Sequence, residues 1–211
     1  MKTIAFIDAS NLFYGGKKSL GWSIDYKRLY QYLERKYEVS KVYYFGGVEV
    51  HRFPFDYLAN NTVPIDHVER YLSELIKMKG DEMNDAELKL ISRHYNRVRF
   101  YQKLKSFGYT LILKPVKTYH DTDGNSLRKA NCDVDMTLLL ATEKDSFDRA
   151  IVLLGDGDFL PVFKHLRENG KEVLVLARGP RTAKEIKRFA GDKFLDFEYL
   201  QKHIAFEEKQ V

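Results

Sequence analysis

Short apolar runs, each closed by a polar or glycine-rich turn, recur along the chain and alternate with stretches of helical period. Lys2–Asp8 (KTIAFID), Lys41–Val50, Tyr109–Pro115, Ala150–Gly155 and Lys171–Ala177 are continuous rather than alternating in hydrophobicity. That is the pattern of strands buried on both faces, as in a parallel sheet. Lys193–Phe197 predicts one more short strand before a terminal helix. Between the strands, helical spacing of apolar residues predicts helices from Asp25 to about Tyr37, over Ile65–Lys79, over Asp85–Phe107, over Asn131–Lys144 and from Pro161 to Asn169. A short basic helix is expected over Thr182–Phe189. The tyrosines of the first of these helices read as core, and the arginines and lysines between Arg93 and Lys105 as a solvated face. Strands alternating with helices imply an α/β fold with a mostly parallel sheet. No repeat or long linker is visible, so the reading is one domain, 1–211, with a helical insertion at about 51–93.

Two of the buried runs end in acid. Asp8 follows Ile4–Ile7, and Asp156 and Asp158 follow Ile151–Leu154 within the string Gly155-Asp156-Gly157-Asp158. Open parallel sheets bind ligands beyond the carboxyl ends of their strands, where the strand order reverses. Glycines beside the acids allow a tight turn and close approach of a ligand. Ser10 or Asn11 is expected to cap the helix after the first run, and Asp158 the helix after the second, with Pro161 in its first turn. Asp135, on the helix leading to the central strand, is a third acidic station. If the first strand and the Ala150–Gly155 strand are neighbours, all four carboxylates converge. Crowded carboxylates repel, and the usual remedy is a hard cation with oxygen ligands, Mg²⁺ or Mn²⁺. Such a site suits phosphodiester hydrolysis, with Asn11 orienting water, metal or phosphate.

Composition narrows this picture. The chain has 211 residues, 44% hydrophobic and 31% charged, with a formal net charge of +5, so a polyanionic partner such as RNA is permitted but not required. Cys132 is the single cysteine, and the six histidines are scattered, which argues against a disulfide framework and against zinc. Asp8 interrupts the N-terminal apolar run, so no signal peptide is read there, and nothing approaches the roughly 18 apolar residues of a membrane span. A cytoplasmic protein without a membrane partner is expected.

Three look-alikes fail on context. Asp133-Val134-Asp135-Met136-Thr137 matches the DxDxT string of haloacid-dehalogenase phosphatases, but no buried strand precedes it. A Toprim-like site needs a glutamate where this chain has Asp8. In His120–Ser126, Gly124 falls two positions too early for an EF-hand loop.

Phe6–Leu12 (FIDASNL), Lys129 ahead of Cys132–Leu140 (CDVDMTLLL), and Leu153–Val175 together resemble the LabA-like branch of the NYN domains, relatives of PIN-domain nucleases. The resemblance extends to the basic helix and Asp192–Phe197 at the end of the chain. It implies a three-layer α/β/α fold with a PIN-like, mostly parallel sheet, and metal-dependent RNA cleavage. It places Asp8, Asp135, Asp156 and Asp158 on the family's catalytic and metal-binding acids. Asn11 and Lys129 fall on its substrate-binding positions. It also implies Mg²⁺ or Mn²⁺ as cofactor and a homodimer as a partner arrangement. The chain departs from the family at Ala141 and Thr142, where many relatives carry a further acid, and at Leu154, where many carry serine. The missing acid keeps open a non-catalytic RNA-binding or regulatory module. A metal-dependent DNA nuclease or phosphatase is the other alternative.

Overall fold

Asp8 ends the first strand, and the first helix begins at Ala9 with no loop between them. The computed structural model describes residues 1–15, 19–79, 82–120 and 126–206, with side chains left aside at 14–15, 118–120 and 126–129. The strands are β1 (Thr3–Asp8), β2 (Val39–Val48), β3 (Tyr109–Pro115), β4 (Lys117–His120), β5 (Ser126–Lys129), β6 (Arg149–Leu153), β7 (Glu172–Ala177) and β8 (Phe194–Asp196). The helices are α1 (Ala9–Gly15), α2 (Tyr26–Tyr37), α3 (Ile65–Lys79), α4 (Asp85–Ser106), α5 (Asp133–Thr142), α6 (Leu160–Glu168), α7 (Lys184–Ala190) and α8 (Gln201–Ile204). The chain divides into two compact units, Met1–Phe45 with Phe107–Thr110 and Asp133–Val211, and Gly46–Ser106 with Leu111–Cys132. The segment 51–93 lies within the second.

The six-stranded sheet has the order β3-β2-β1-β6-β7-β8. The pairings β1–β2, β1–β6, β6–β7 and β7–β8 are parallel. From β1 the chain builds outward one way through β2 and β3, and later the other way through β6, β7 and β8. The order therefore reverses between β1 and β6, the predicted neighbours, and helices cover the sheet in a three-layer α/β/α fold. Ile4–Ile7 and Ala150–Leu153 are all at most 3% exposed. Burial on both faces is why these strands show unbroken apolar runs rather than alternation.

In the first unit Phe6 stacks on Tyr43 at 5.4 Å and meets Phe147 edge-on at 5.7 Å. Of the α2 tyrosines expected in the core, Tyr32 is buried while Tyr26, Tyr30 and Tyr37 are half-buried; Tyr30 meets Tyr109 edge-on at 5.3 Å, and the Tyr109 hydroxyl donates to the Tyr26 carbonyl at 2.7 Å. Burial pushes the Tyr109 phenol well above its ordinary pKa. The turn before β3 depends on Gly108, whose φ is +104°, and a Cβ there would stand 2.7 Å from the Tyr30 ring. Gly108→Ala is expected to lower unfolding free energy by about 2 kcal/mol, through backbone strain added to overpacking. A urea titration followed by circular dichroism reads this as a lower midpoint.

The second unit pairs α3 with α4. Ile65, Val68 and Leu72 are buried from α3, and Ile91, His94, Val98, Tyr101 and Leu104 from α4. The spacing alone predicts Leu88 and Tyr95 in that second stripe; the structure buries His94 and Tyr101 instead. Both are amphipathic. Tyr101 brings its hydroxyl to the Gly47 carbonyl at 2.6 Å, while Tyr95 stays at the margin to donate to Glu69 at 3.0 Å. Arg93, Arg97, Arg99, Lys103 and Lys105 are exposed. Lys105 pairs with Asp66 at 2.6 Å, with both side chains more than half exposed, so the pair adds little stability.

The antiparallel hairpin β4–β5 is not visible in the sequence pattern, because KTYH and SLRK lack alternating apolar residues. The polar turn expected at its tip lies, over 121–125, outside the described residues. No described helix is long and apolar enough to cross a membrane.

Candidate active site

β1 and β6 pair in register with Ile7 beside Leu153, so the acids that follow them leave the same edge of the sheet at the point of reversal. Each is taken up at once by its own backbone. Asp8 Oδ1 accepts the Ser10 N–H at 2.9 Å, and Oδ2 accepts the Ser10 hydroxyl at 2.6 Å. Asp156 caps the 3₁₀ turn Gly157–Phe159 that leads into α6, its Oδ1 accepting the Asp158 N–H at 3.0 Å. Pro161 sits in the first turn of α6 as predicted. The expected caps are corrected: Asp8 takes the place expected of Ser10 or Asn11, and α6 has no side-chain cap from Asp158, Asp156 instead capping the 3₁₀ turn ahead of it. α1 starts directly after β1 and the 3₁₀ turn starts at Gly157, so in each case the acid immediately ahead is the residue whose side chain reaches the open N–H groups.

Asp8, Asn11 and Asp156 share the lining of a cavity of about 480 Å³ with Arg181 and Thr182 of the loop after β7. Burial raises the Asp8 pKa above its ordinary value, and the negative charge of Asp156 adds to the rise. Hydrogen bonds from Ser10 and from the Asn11 backbone pull the other way without cancelling it. The Asn11 side-chain Nδ2 is buried and has no hydrogen-bond partner among the described residues. The cavity thus holds two repelling carboxylates and an unused amide donor.

Of the four expected acids, Asp8 and Asp156 line this cavity. Asp158 is exposed on the 3₁₀ turn, and Asp135 is half-buried in the first turn of α5; neither lines the cavity. Among the described residues no group of three or more His, Cys, Asp or Glu side chains is placed to hold an ion. Asp8 and Asp156 each accept a local N–H group, and Asp156, like Asp158, is exposed. The Lys129 backbone belongs to β5 in the second unit, and its side chain lies outside the described residues.

The other wall of the cavity is a loop that the sequence pattern did not single out. The Arg178 guanidinium donates to Asp196 Oδ2 at 2.8 Å and to Glu198 at 3.1 Å, and the Gly179 N–H reaches the same Asp196 oxygen at 2.8 Å. Lys187 Nζ donates to the Gly179 carbonyl at 3.1 Å, and the Ala183 N–H to the Gly155 carbonyl at 2.9 Å. Arg178 and Lys187 are thereby occupied in holding the turn, and Arg181 faces the cavity lining. The available signal was Arg178-Gly179-Pro180-Arg181 directly after the apolar run EVLVLA, a third strand end on the ligand-binding edge. Gly155 is needed for this packing: a Cβ would stand 2.8 Å from Thr182 Oγ1 and 3.1 Å from Thr182 Cα. Gly155→Ala is expected to cost about 1–3 kcal/mol by overpacking, measured as a lower urea midpoint.

The donors present suit a hard cation. Carboxylate and amide oxygens match Mg²⁺ or Mn²⁺, ions that retain coordinated waters. Among the described residues no histidine or cysteine lines the cavity.

A parallel sheet with an acidic crevice at its reversal point defines the class, and the chain belongs to the NYN domain family, whose model matches residues 70–198. Within it the chain is LabA-like. It is 24% identical over 208 residues to the low amplitude and bright protein LabA of Synechococcus elongatus, a match covering 97% of this chain and 88% of that protein. Among solved structures it shares its fold with VPA0982 from Vibrio parahaemolyticus, a protein of unknown function. That likeness has a TM-score of 0.61 at 17% identity and covers 97% of this chain and 96% of the other.

Proposed function

We propose that the protein is a Mg²⁺- or Mn²⁺-dependent nuclease that hydrolyses RNA phosphodiester bonds at the crevice between β1 and β6. The observation that carries the reading is the pair Asp8 and Asp156, delivered to one cavity by neighbouring strands and held there with their charges in opposition. A fold that keeps a desolvated carboxylate beside a second one has a place for a cation. Asp8 and Asp156 would hold the ion. When bound, it would acidify a coordinated water and neutralise charge on the phosphate. The unpartnered Asn11 Nδ2 would hydrogen-bond a phosphate oxygen or the attacking water, and Arg181 would place positive charge against the phosphodiester. The net charge of +5 favours a polyanion at long range.

A second reading, RNA binding without cleavage, draws on the cavity lining, which holds two of the four expected acids, both already serving as helix caps. The assay that separates the two uses purified protein with single-stranded and structured RNA, in Mn²⁺ and in EDTA. Cleavage that EDTA abolishes supports the nuclease. Salt-dependent binding with no cleavage in Mn²⁺ supports the module. Asp135→Asn and Asp158→Asn in the same assay distinguish a two-acid site, in which both retain most activity, from a four-acid one. Single-stranded DNA and a phosphomonoester as competing substrates test the DNA-nuclease and phosphatase alternatives.

A further inference from the structure

The second unit carries a cavity of its own, about 320 Å³, lined by side chains of α3, of α4 and of the stretch after β2. Its apolar surface comes from Tyr71 and Leu75 of α3 and Leu90 and Ile91 of α4. Leu90 is 39% exposed, a large aliphatic side chain left without full cover. Two cations, Arg52 and Lys79, share the lining, and neither has a hydrogen-bond or ion-pair partner among the described residues. Two acids, Glu82 and Glu87, accompany them. Glu87 is fixed in place, its Oε2 accepting the Asn84 N–H at 3.3 Å while its own N–H donates to Asn84 Oδ1 at 3.0 Å.

His51 adds a second kind of observation. Its φ of +50° lies in the left-handed region that a non-glycine residue seldom occupies, and backbone of this kind clusters at ligand sites. Its ring lies 6.2 Å from that of His94. Burial, and then the charge of Arg52, lower its pKa against the opposing pull of Glu87. A neutral imidazole offers one donor and one acceptor.

We propose that this cavity binds a nucleoside monophosphate. The volume falls at the lower end of small-molecule pockets. A flat base fits the apolar surface of Tyr71, Leu75, Leu90 and Ile91, where an aromatic face gains from stacking. Arg52 and Lys79 supply the charge for one phosphate. Glu82 and Glu87, both exposed, add acceptors to the lining. The amino and ring N–H groups of a base, or ribose hydroxyls, satisfy them. The site is separate from the acidic crevice and does not depend on the nuclease reading.

The test is calorimetric titration of the full chain in EDTA with GMP, AMP, CMP and UMP, alongside guanosine and inorganic phosphate as partial probes. At least one monophosphate is expected to bind about 10-fold or more tightly than phosphate alone, since the base adds its own contacts. Arg52→Ala, at an exposed position, is expected to weaken that binding about 10-fold by removing a charge-assisted contact. Leu75→Trp, which fills the apolar end, should abolish it, and Asp156→Asn should leave it unchanged. Four results would overturn the proposal: no monophosphate binding below millimolar concentration; phosphate binding as well as every nucleotide; Arg52→Ala without effect; or loss of binding in Asp156→Asn, which would move the nucleotide to the acidic crevice.

Discussion

Asp156→Asn is expected to reduce Mn²⁺-dependent RNA cleavage by about 100-fold or more, since even outer-shell losses at metal sites cost 10- to 100-fold. The variant should still fold, because the asparagine oxygen can accept the Asp158 N–H that Asp156 Oδ1 now accepts. Asp8→Asn should lose activity to a similar degree and yet be more stable than the parent in EDTA. The sign follows from the raised pKa of Asp8. Between its ordinary value and the raised one, the folded protein holds the proton more firmly than the unfolded chain. Stability is then fully present below the ordinary value and is lost as pH rises through the raised one. Thermal unfolding of metal-free protein should therefore show a fall in Tm across that interval that Asp8→Asn lacks. Mn²⁺ should raise the Tm of the parent above the interval, by mass action on a site present only in the folded state, and should do little for Asp8→Asn. Equal cleavage by Asp156→Asn and the parent would refute the proposed site.

The largest stability effect is expected at Arg178. Its side chain and that of Asp196 are 15% and 14% exposed and meet at 2.8 Å. Removing the guanidinium leaves the Asp196 carboxylate largely withdrawn from water, with the Gly179 and Glu198 N–H groups as its hydrogen-bond donors among the described residues. Arg178→Ala is expected to cost about 2–4 kcal/mol, most of it the penalty of a poorly compensated charge rather than the value of the pair. Urea unfolding should show a lower midpoint at an unchanged m-value. Arg178→Ala combined with Asp196→Asn should recover part of the loss, because the asparagine keeps the cap to Glu198 and removes the stranded charge. Cleavage should fall in Arg178→Ala as well, since this pair anchors the loop that brings Arg181 and Thr182 to the cavity.

Much of the architecture was legible because its determinants are local. Ile65–Lys79 reads as a helix from its spacing alone and forms one over the same residues. The runs ending at Asp8 and Leu154 read as doubly buried strands because burial on both faces removes polar positions altogether. The caps were misplaced by one short turn, since the pattern cannot say whether a strand passes into its helix directly or through a loop. The hairpin β4–β5 was missed because its strands carry no hydrophobic alternation. His94 and Tyr101 were missed because amphipathic side chains can turn a helix face inward without changing its apolar count. Arg178, Asp196 and Arg181 form or flank a pairing between residues 18 positions apart, and no local signal announces which of many charges will meet.

By itself the sequence determined the strand and helix order, the parallel class of the sheet and the acids at the strand ends, because each follows from the periodicity of burial along a few residues. Only the tertiary structure decided that β1 and β6 are neighbours, that two acids rather than four line one cavity, and which loop closes it. Those outcomes depend on where distant segments come to rest, and the energies that settle them, charge repulsion and close packing, exist only once the segments have met.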